Sequence, residues 1–153
     1  MRLQHVLLGV SSLVLLPAAA HAALTGLDGW WSGQASIQLS SATESMTCRV
    51  TYIVDGPGKR FTLRCANPSW KFESVARLTS SGTNVQGSWE VTTHNLTGKV
   101  SGTRAGDTLN LNIAGDFAAT FSMKIEPGVH RVTLTPKDQS IARRLTMTLR
   151  KGS

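Results

Sequence analysis

Apolar and polar residues alternate at every second position through most of the chain after residue 28. In residues 108–113, Leu109, Leu111 and Ile113 take one parity and polar residues take the other. Residues 117–125 repeat the pattern. Alternation at period two is typical of antiparallel strands with one buried and one solvated face. The sequence therefore predicts an all-β protein.

Ten strands are predicted, separated by short segments rich in Gly, Pro, Asn and Asp. Their ranges are 30–39, 46–55, 58–66, 69–79, 83–93, 96–103, 107–113, 117–126, 129–135 and 141–150. Connections this short pair each strand with the next, and a long meander hides its two edges by closing on itself. We predict an antiparallel up-and-down barrel of 8–10 strands, with a β-sandwich as the alternative.

The first predicted hairpin sets the position of both cysteines. Residues 55–58 read Asp-Gly-Pro-Gly, which suits a two-residue turn with Gly56 at positive φ. Pairing outward from this turn sets Cys48 opposite Cys65 at a non-hydrogen-bonded position, with Cα atoms about 4.5 Å apart. That distance is within disulfide range. We predict a Cys48–Cys65 disulfide.

The first 22 residues have the three parts of a signal peptide. Arg2 is followed by an apolar stretch at residues 6–16, and residues 20–22 read Ala-His-Ala, a small-x-small cleavage signal. We predict cleavage after residue 22, one small barrel domain at residues 23–153 without a transmembrane segment, and a periplasmic or secreted location. An even number of cysteines agrees with an oxidising compartment.

The start of the predicted first strand, Gly29-Trp30-Trp31, resembles the Gly-x-Trp opening of lipocalins and other calycins. Calycins include avidins, fatty-acid-binding proteins and small periplasmic protease inhibitors. The resemblance implies a small barrel in which a basic residue near the end of the last strand packs on the tryptophan, and Arg150 matches that residue. The chain as a whole also resembles exported bacterial proteins without an assigned function.

Basic residues collect on one predicted outer face. Residues 23–153 contain fifteen Lys or Arg and nine Asp or Glu, a net charge of +6. The first hairpin sets Arg49 opposite Arg64, and a tight turn at residues 67–68 would set Arg64 beside Lys71. Like charges in direct opposition destabilise a sheet. We expect either a solvated face or a site for an anionic partner, such as an envelope polymer or a lipid headgroup rather than nucleic acid. The face comprises Arg49, Lys59, Arg60, Arg64, Lys71 and Arg77.

Large aromatic side chains take the inward parity. They are Trp31, Tyr52, Phe61, Trp70, Phe72, Trp89, Phe117 and Phe121. A tight turn at residues 94–95 would place Trp89 opposite Val100. The rings could fill the barrel, or the barrel could hold one small ligand. Inward glycines would leave room for such a ligand, and they are Gly33, Gly87, Gly98 and Gly102.

Catalytic and metal-binding patterns are not evident. The histidines of the predicted domain are His94, in a predicted turn, and His130, at the start of a strand. The sequence does not place either histidine as a general base between a nucleophile and a third group that would orient the ring. The acidic residues fall mainly at turns. We predict no enzyme activity, no metal and no cofactor.

Three binding functions remain. The first is an envelope protein that engages an anionic partner through the basic face. The second is a carrier of a small apolar ligand inside the barrel. The third, implied by the calycin resemblance alone, is an inhibitor of a secreted enzyme, which would present residues 23–28 to its target.

The signal peptide predicts a processed chain that begins at Ala23. Intact mass and N-terminal sequencing of protein from its own host should both give this start. Retention of Met1, or a start inside the first strand, would contradict the export argument.

Overall fold

The computed structural model describes residues 23–152, which form ten antiparallel strands. The alternation predicted an all-β protein, and this is confirmed. The strands are β1 Gly29–Leu39, β2 Thr43–Asp55, β3 Gly58–Ala66, β4 Lys71–Ser81, β5 Asn84–Val91, β6 Leu96–Ala105, β7 Thr108–Gly115, β8 Ala119–Glu126, β9 Val129–Pro136 and β10 Ala142–Lys151.

The strands close into an up-and-down barrel. Each strand pairs with its neighbour in sequence, and β1 also pairs with β10, from Trp31 opposite Lys151 to Leu39 opposite Ala142. An even number of strands lets the first and last run antiparallel. The predicted closed barrel is confirmed, and the sandwich alternative is not adopted. The predicted signal peptide, residues 1–22, lies outside the described residues.

The β2–β3 hairpin has the predicted register. Asp55 lies opposite Gly58, and Gly56 has a φ of 56°. Cys48 and Cys65 are paired, bonded and buried, with Cα atoms 4.1 Å apart. The predicted disulfide is confirmed, and it indicates a setting outside the reducing cytoplasm.

The β3–β4 register differs from the prediction by two residues. Arg64 lies opposite Glu73, and Lys71 lies opposite Ala66. The connection is four residues long because the Oδ1 atom of Asn67 accepts from the backbone N–H groups of Ser69 and Trp70, both at 2.9 Å. The predicted pairing of Arg64 with Lys71 is therefore wrong. The side chains nevertheless stay on their predicted faces of the sheet, because a register shift of two residues does not move them to the other face.

The β5–β6 register also shifts by two. Trp89 lies opposite Gly98 rather than Val100. The turn spans residues 92–95, with Asn95 at a φ of 53° and the N–H of His94 bonded to the carbonyl of Val91 at 3.2 Å. Asparagine tolerates the left-handed region, so the chain makes a longer turn than the two-residue one predicted.

The inward glycines serve close strand approach rather than ligand space. A Cβ at Gly33 would overlap the carbonyl oxygen of Thr148 on β10. The same overlap with a neighbouring strand occurs at Gly87, Gly98 and Gly102. The expectation that these glycines leave room for a ligand is wrong, because backbone of the adjacent strand occupies that volume.

Residues 23–28 form the floor of the barrel. Ala23, Leu24 and Leu27 are buried in the core. The segment is held from two sides, because Arg104 on β6 donates to the carbonyl of Thr25 and Lys59 on β3 donates to the carbonyl of Leu27 at 3.3 Å. This burial does not fit the exposed segment that the inhibitor hypothesis requires.

The tryptophan of the Gly-x-Trp sequence lies at this closed end. Trp31 is buried, and its Nε1–H donates to the carbonyl of Asp28 at 3.0 Å. Lys151 places its Nζ 5.9 Å from the ring centroid. Arg150 lies on the outer face opposite Ser32 and is exposed, so the expected packing of Arg150 on the tryptophan is wrong. Strand alternation turns Lys151 inward instead.

Within residues 23–152, no helix is both long enough and apolar enough to cross a membrane.

Removing the disulfide should lower the free energy of unfolding by about 3 kcal/mol, because it closes a loop with a sequence separation of 17. The Cys48→Ala/Cys65→Ala variant should show this loss in urea denaturation. Wild-type protein unfolded with a reductant is the matched control and should give a similar midpoint. A variant as stable as oxidised wild type would contradict the loop-closure account.

Candidate functional site

A cavity of about 440 Å³ lies inside the barrel. Every strand contributes to its walls, since the inward parity brings apolar side chains together from all ten. Phe61, Phe72 and Phe121 point into it and remain only partly buried. An inward side chain with accessible surface faces open space rather than neighbouring atoms. The rings therefore line the barrel without filling it.

The eight aromatic residues predicted for the interior take three positions. Tyr52, Phe61, Phe72, Trp89 and Phe121 line the cavity along its walls. Two others lie on its rim, outside the strands, and these are Trp70 and Phe117. Trp31 is buried in the floor.

The mouth of the cavity is at the end of the barrel that carries the longer connections. His94, Trp70 and Phe117 come from those connections, and Pro136 and Arg144 come from strand ends beside them. Phe117 is 36% exposed and stands edge-on to Trp89, with ring centroids 6.4 Å apart. The rim therefore combines aromatic surface with one arginine.

An acidic residue orients the rim tryptophan. The Nε1–H of Trp70 donates to Oε2 of Glu44 at 3.0 Å, and the Nδ2–H of Asn67 donates to the same oxygen at 3.3 Å. Glu44 begins the β2 side of the mouth and is half-buried. The carboxylate thus fixes one face of the entrance.

His130 closes the opposite end. It is fully buried and donates its Nε2–H to the carbonyl of Gly26 at 3.1 Å. Its ring stacks on Trp31 at a centroid distance of 3.6 Å and meets Tyr52 edge-on at 5.8 Å. Its Nδ1 atom has no hydrogen-bond partner among the described residues. The imidazole belongs to the floor.

Protonation of His130 is disfavoured. Its pKa is lowered to about 4, mainly by burial; the hydrogen bond to Gly26 opposes this shift, and the positive charges of Arg104 and Lys151 add to it. A second proton would go to Nδ1, which has no acceptor beside it. The floor is built for the neutral ring.

Ser74 and Tyr52 bring hydroxyl groups to the cavity wall. Ser74 donates its hydroxyl to the carbonyl of Glu90 at 3.0 Å. Tyr52 donates only to the thioether sulfur of Met123, at 3.8 Å. Burial raises the pKa of Tyr52. Because a thioether is a weak acceptor, the Tyr52 hydroxyl could donate to a better one on a ligand.

The residues of the predicted basic face separate in the structure. Arg49 does lie opposite Arg64, but the Nε–H of Arg64 donates to Glu73 at 2.5 Å. This hydrogen bond, together with the charge of Arg64, lowers the pKa of Glu73. Lys71 is exposed near the mouth end of β4, away from Arg64.

Other members of the face are also neutralised or point elsewhere. Arg77 lies 3.3 Å from Glu90 and 3.8 Å from Asp55. Lys59 has inward parity and forms an ion pair with Asp28 at 2.5 Å, so its place on the outer face is wrong. Arg60 stays on the outer face between Ile53 and Arg77.

Groups with catalytic potential are few in the part of the chain that the structure describes. Thr93 and His94 are adjacent at the rim, with Oγ1 and Nδ1 2.9 Å apart. Both are exposed, and within residues 23–152 no third group orients the ring. Those residues also contain no group of three or more His, Cys, Asp or Glu side chains that could hold a metal ion.

Sequence reasoning missed the two ends of the cavity. At the mouth, Glu44 is hydrogen-bonded to Trp70, and at the floor His130 is hydrogen-bonded to Gly26. Both are contacts between segments that are distant in sequence. One signal was available for the floor: Leu24 and Leu27 are apolar residues in a segment that was expected to be exposed. Nothing in the strand pattern marks Glu44.

Comparison with known proteins identifies the fold. No family model matches the sequence, and no curated protein matches it either. The structure of Rv2717c from M. tuberculosis is 18% identical, with a TM-score of 0.72 over 92% of this chain and all of that one. The S-type phycobiliprotein lyase CpeS from Guillardia theta is 12% identical, with a TM-score of 0.61 over 84% of this chain and 89% of that one.

These likenesses support the small barrel that the calycin resemblance implied. At sequence identities of 18% and 12%, these similarities support the fold but not a shared function. One of the two proteins is named as a lyase. The expectation that this chain is not an enzyme stays a prediction.

Acid should weaken the fold through His130. Its pKa is lower in the folded chain than the ordinary value of 6.5. The contribution of His130 to the free energy of unfolding is therefore complete above pH 6.5 and falls as the pH drops toward 4. The loss should reach about 3 kcal/mol. In urea denaturation between pH 7 and pH 4, the free energy of unfolding should depend less on pH for His130→Phe than for wild type. This variant keeps an aromatic ring on Trp31.

The matched control is His94→Phe, at the exposed turn. It should keep the wild-type pH dependence between pH 7 and pH 4. Equal slopes for wild type and His130→Phe would show that His130 does not set the acid stability.

Proposed function

We propose that the protein binds a small apolar molecule inside its barrel and carries it outside the cytoplasm. The observation that carries this proposal is the cavity of about 440 Å³ inside the barrel. Residues 23–28 close one end of it, and its mouth lies among the longer connections at the other end. Small-molecule sites typically measure about 300–1,000 Å³ and are lined mainly by apolar and aromatic side chains.

The packing of the interior supports a ligand rather than a filled core. Side chains such as Phe61, Leu63 and Phe121 stay partly accessible although they point inward. Side chains that face a void lose dispersion contacts on that side. An apolar ligand would restore those contacts and displace water from the walls, which favours its binding.

The distribution of polar groups indicates how the ligand lies. The walls are apolar, Arg144 and His94 stand at the mouth, and the hydroxyl of Tyr52 lies near the floor. A molecule with an apolar body and an acidic end fits this arrangement. The acidic end would lie beside Arg144, where it stays in contact with water.

The setting of this carrier is inferred from the disulfide and the predicted signal peptide together. Disulfides persist in oxidising compartments, and the bond between Cys48 and Cys65 lies within the barrel wall. We infer a periplasmic or secreted carrier without catalytic activity. An enzyme-inhibitor function is less well supported, because Ala23, Leu24 and Leu27 are buried.

Filling part of the cavity with a larger side chain should weaken probe binding. Ile113 lines the cavity, and the neighbouring Asn112 is exposed on the outer face of the same strand. Ile113→Trp should weaken binding of the neutral probe N-phenyl-1-naphthylamine at least tenfold in a fluorescence titration, because indole occupies the space. Asn112→Trp is the matched control and should bind like wild type.

A charge test separates the mouth from the walls. Arg144→Gln should weaken binding of the anionic probe 8-anilinonaphthalene-1-sulfonate and leave binding of the neutral probe nearly unchanged. Equal effects on both probes would contradict an acidic end at Arg144. Absence of probe binding by the wild type, together with no retained ligand in native mass spectra of protein from its host, would contradict the carrier proposal itself.

A further inference from the structure

Exposed apolar side chains cluster on the outside of the barrel near its closed end. Trp30 is 74% exposed, and Ile53 is 43% exposed. Trp30 on β1 lies opposite Thr51 on β2, two residues from Ile53 on the same face. Diagonal neighbours of this kind lie about 7–8 Å apart, within reach of an indole ring. We call Trp30 and Ile53 the Trp30 patch.

Arginines flank this patch on both sides. Register places Arg150 on β10 and Arg49 on β2 on either side of Ser32, which is two residues from Trp30 along β1. Arg60 lies directly opposite Ile53. The same outer row continues from Arg49 to Arg64.

Three of these arginines have no carboxylate partner. Within residues 23–152, no Asp or Glu oxygen lies within 4 Å of Arg49, Arg60 or Arg150, whereas Arg64 is paired with Glu73. Arg49 also faces Arg64 directly, an arrangement that destabilises a sheet by itself. A single exposed apolar residue is ordinary, but here an exposed tryptophan coincides with uncompensated positive charge.

We propose that the outer face around the Trp30 patch docks on an anionic membrane surface, with Trp30 at the headgroup level and Arg49, Arg60 and Arg150 against lipid phosphates. Tryptophan suits that interface because it joins a large apolar ring to one polar N–H. Arginine lays its apolar stem along a surface while its charged end reaches the phosphates. Each basic residue near an anionic membrane adds about 1 kcal/mol to the free energy of binding.

The shape of the face favours a membrane over a rigid polymer. The outer wall of a barrel is convex, and the patch lies on the neighbouring strands β1 and β2. Lipids can rearrange around a convex surface. This inference is independent of the ligand cavity, whose mouth is at the other end of the barrel.

Vesicle co-sedimentation tests the charge requirement on the chain as the cell processes it. Wild type should bind phosphatidylcholine vesicles that contain phosphatidylglycerol, bind pure phosphatidylcholine far more weakly, and lose binding as salt rises. Arg49→Gln/Arg150→Gln should weaken binding about 25-fold, or about fivefold for each charge. Near-ultraviolet circular dichroism should show an unchanged fold, because both side chains are exposed.

The matched control removes the same charge from the far side of the barrel. Lys99 on β6 and Lys124 on β8 are exposed and outward. Lys99→Gln/Lys124→Gln should change vesicle binding less than twofold. If both double variants weaken binding equally, only net charge matters and the docking face is wrong. Binding of wild type to soluble polyphosphate but not to anionic vesicles would also overturn the proposal.

Trp30 gives a position-specific readout. Vesicles with brominated acyl chains should quench part of the tryptophan fluorescence of wild type, because Trp30 would lie near the bromines. Trp30→Phe should still sediment with vesicles but lose this quenching. Quenching that persists in Trp30→Phe would assign the contact to another tryptophan, such as Trp70 at the mouth, and would overturn the proposed orientation.

Discussion

The pairing of β1 with β10 turns an open meander of ten strands into a barrel, and the cavity exists only because of it. Without that pairing, two strands would expose unpaired N–H and C=O groups. The pairing requires Gly33, because a Cβ there would overlap the carbonyl of Thr148 on β10. A single absent side chain thus lets the two strands approach, and the inward parity of the others then encloses the apolar walls.

Closure leaves two open ends, and the chain treats them differently. Residues 23–28 enter one end and are held by Arg104, Lys59 and His130, which lie on three separate strands. His130 is fully buried in this floor and stacks on Trp31, and its burial is the main cause of its lowered pKa. The other end keeps its longer connections and a rim of aromatic side chains. The cavity therefore has a direction.

The walls could be predicted from the sequence and the ends could not. Residues 55–58 fixed one register correctly because Gly56 and Pro57 allow few turn conformations. At Asn67 the side chain accepts two backbone hydrogen bonds and lengthens the turn, a choice that residue type alone does not settle. Each register error was two residues, so inward parity held while cross-strand partners changed. The floor and mouth depend on contacts such as His130 with Gly26, which no local pattern encodes.

The two proposed sites lie at different ends of one rigid wall, and that separation has a functional consequence. Trp30 follows directly after Gly29 at the closed end, whereas Arg144 and Phe117 stand at the mouth. A barrel docked through Trp30 would keep its mouth away from the lipid surface. Ligand would then pass between the barrel and a soluble partner or the aqueous phase, rather than directly from the bilayer. Membrane contact would fix where the carrier works, and the cavity would fix what it carries.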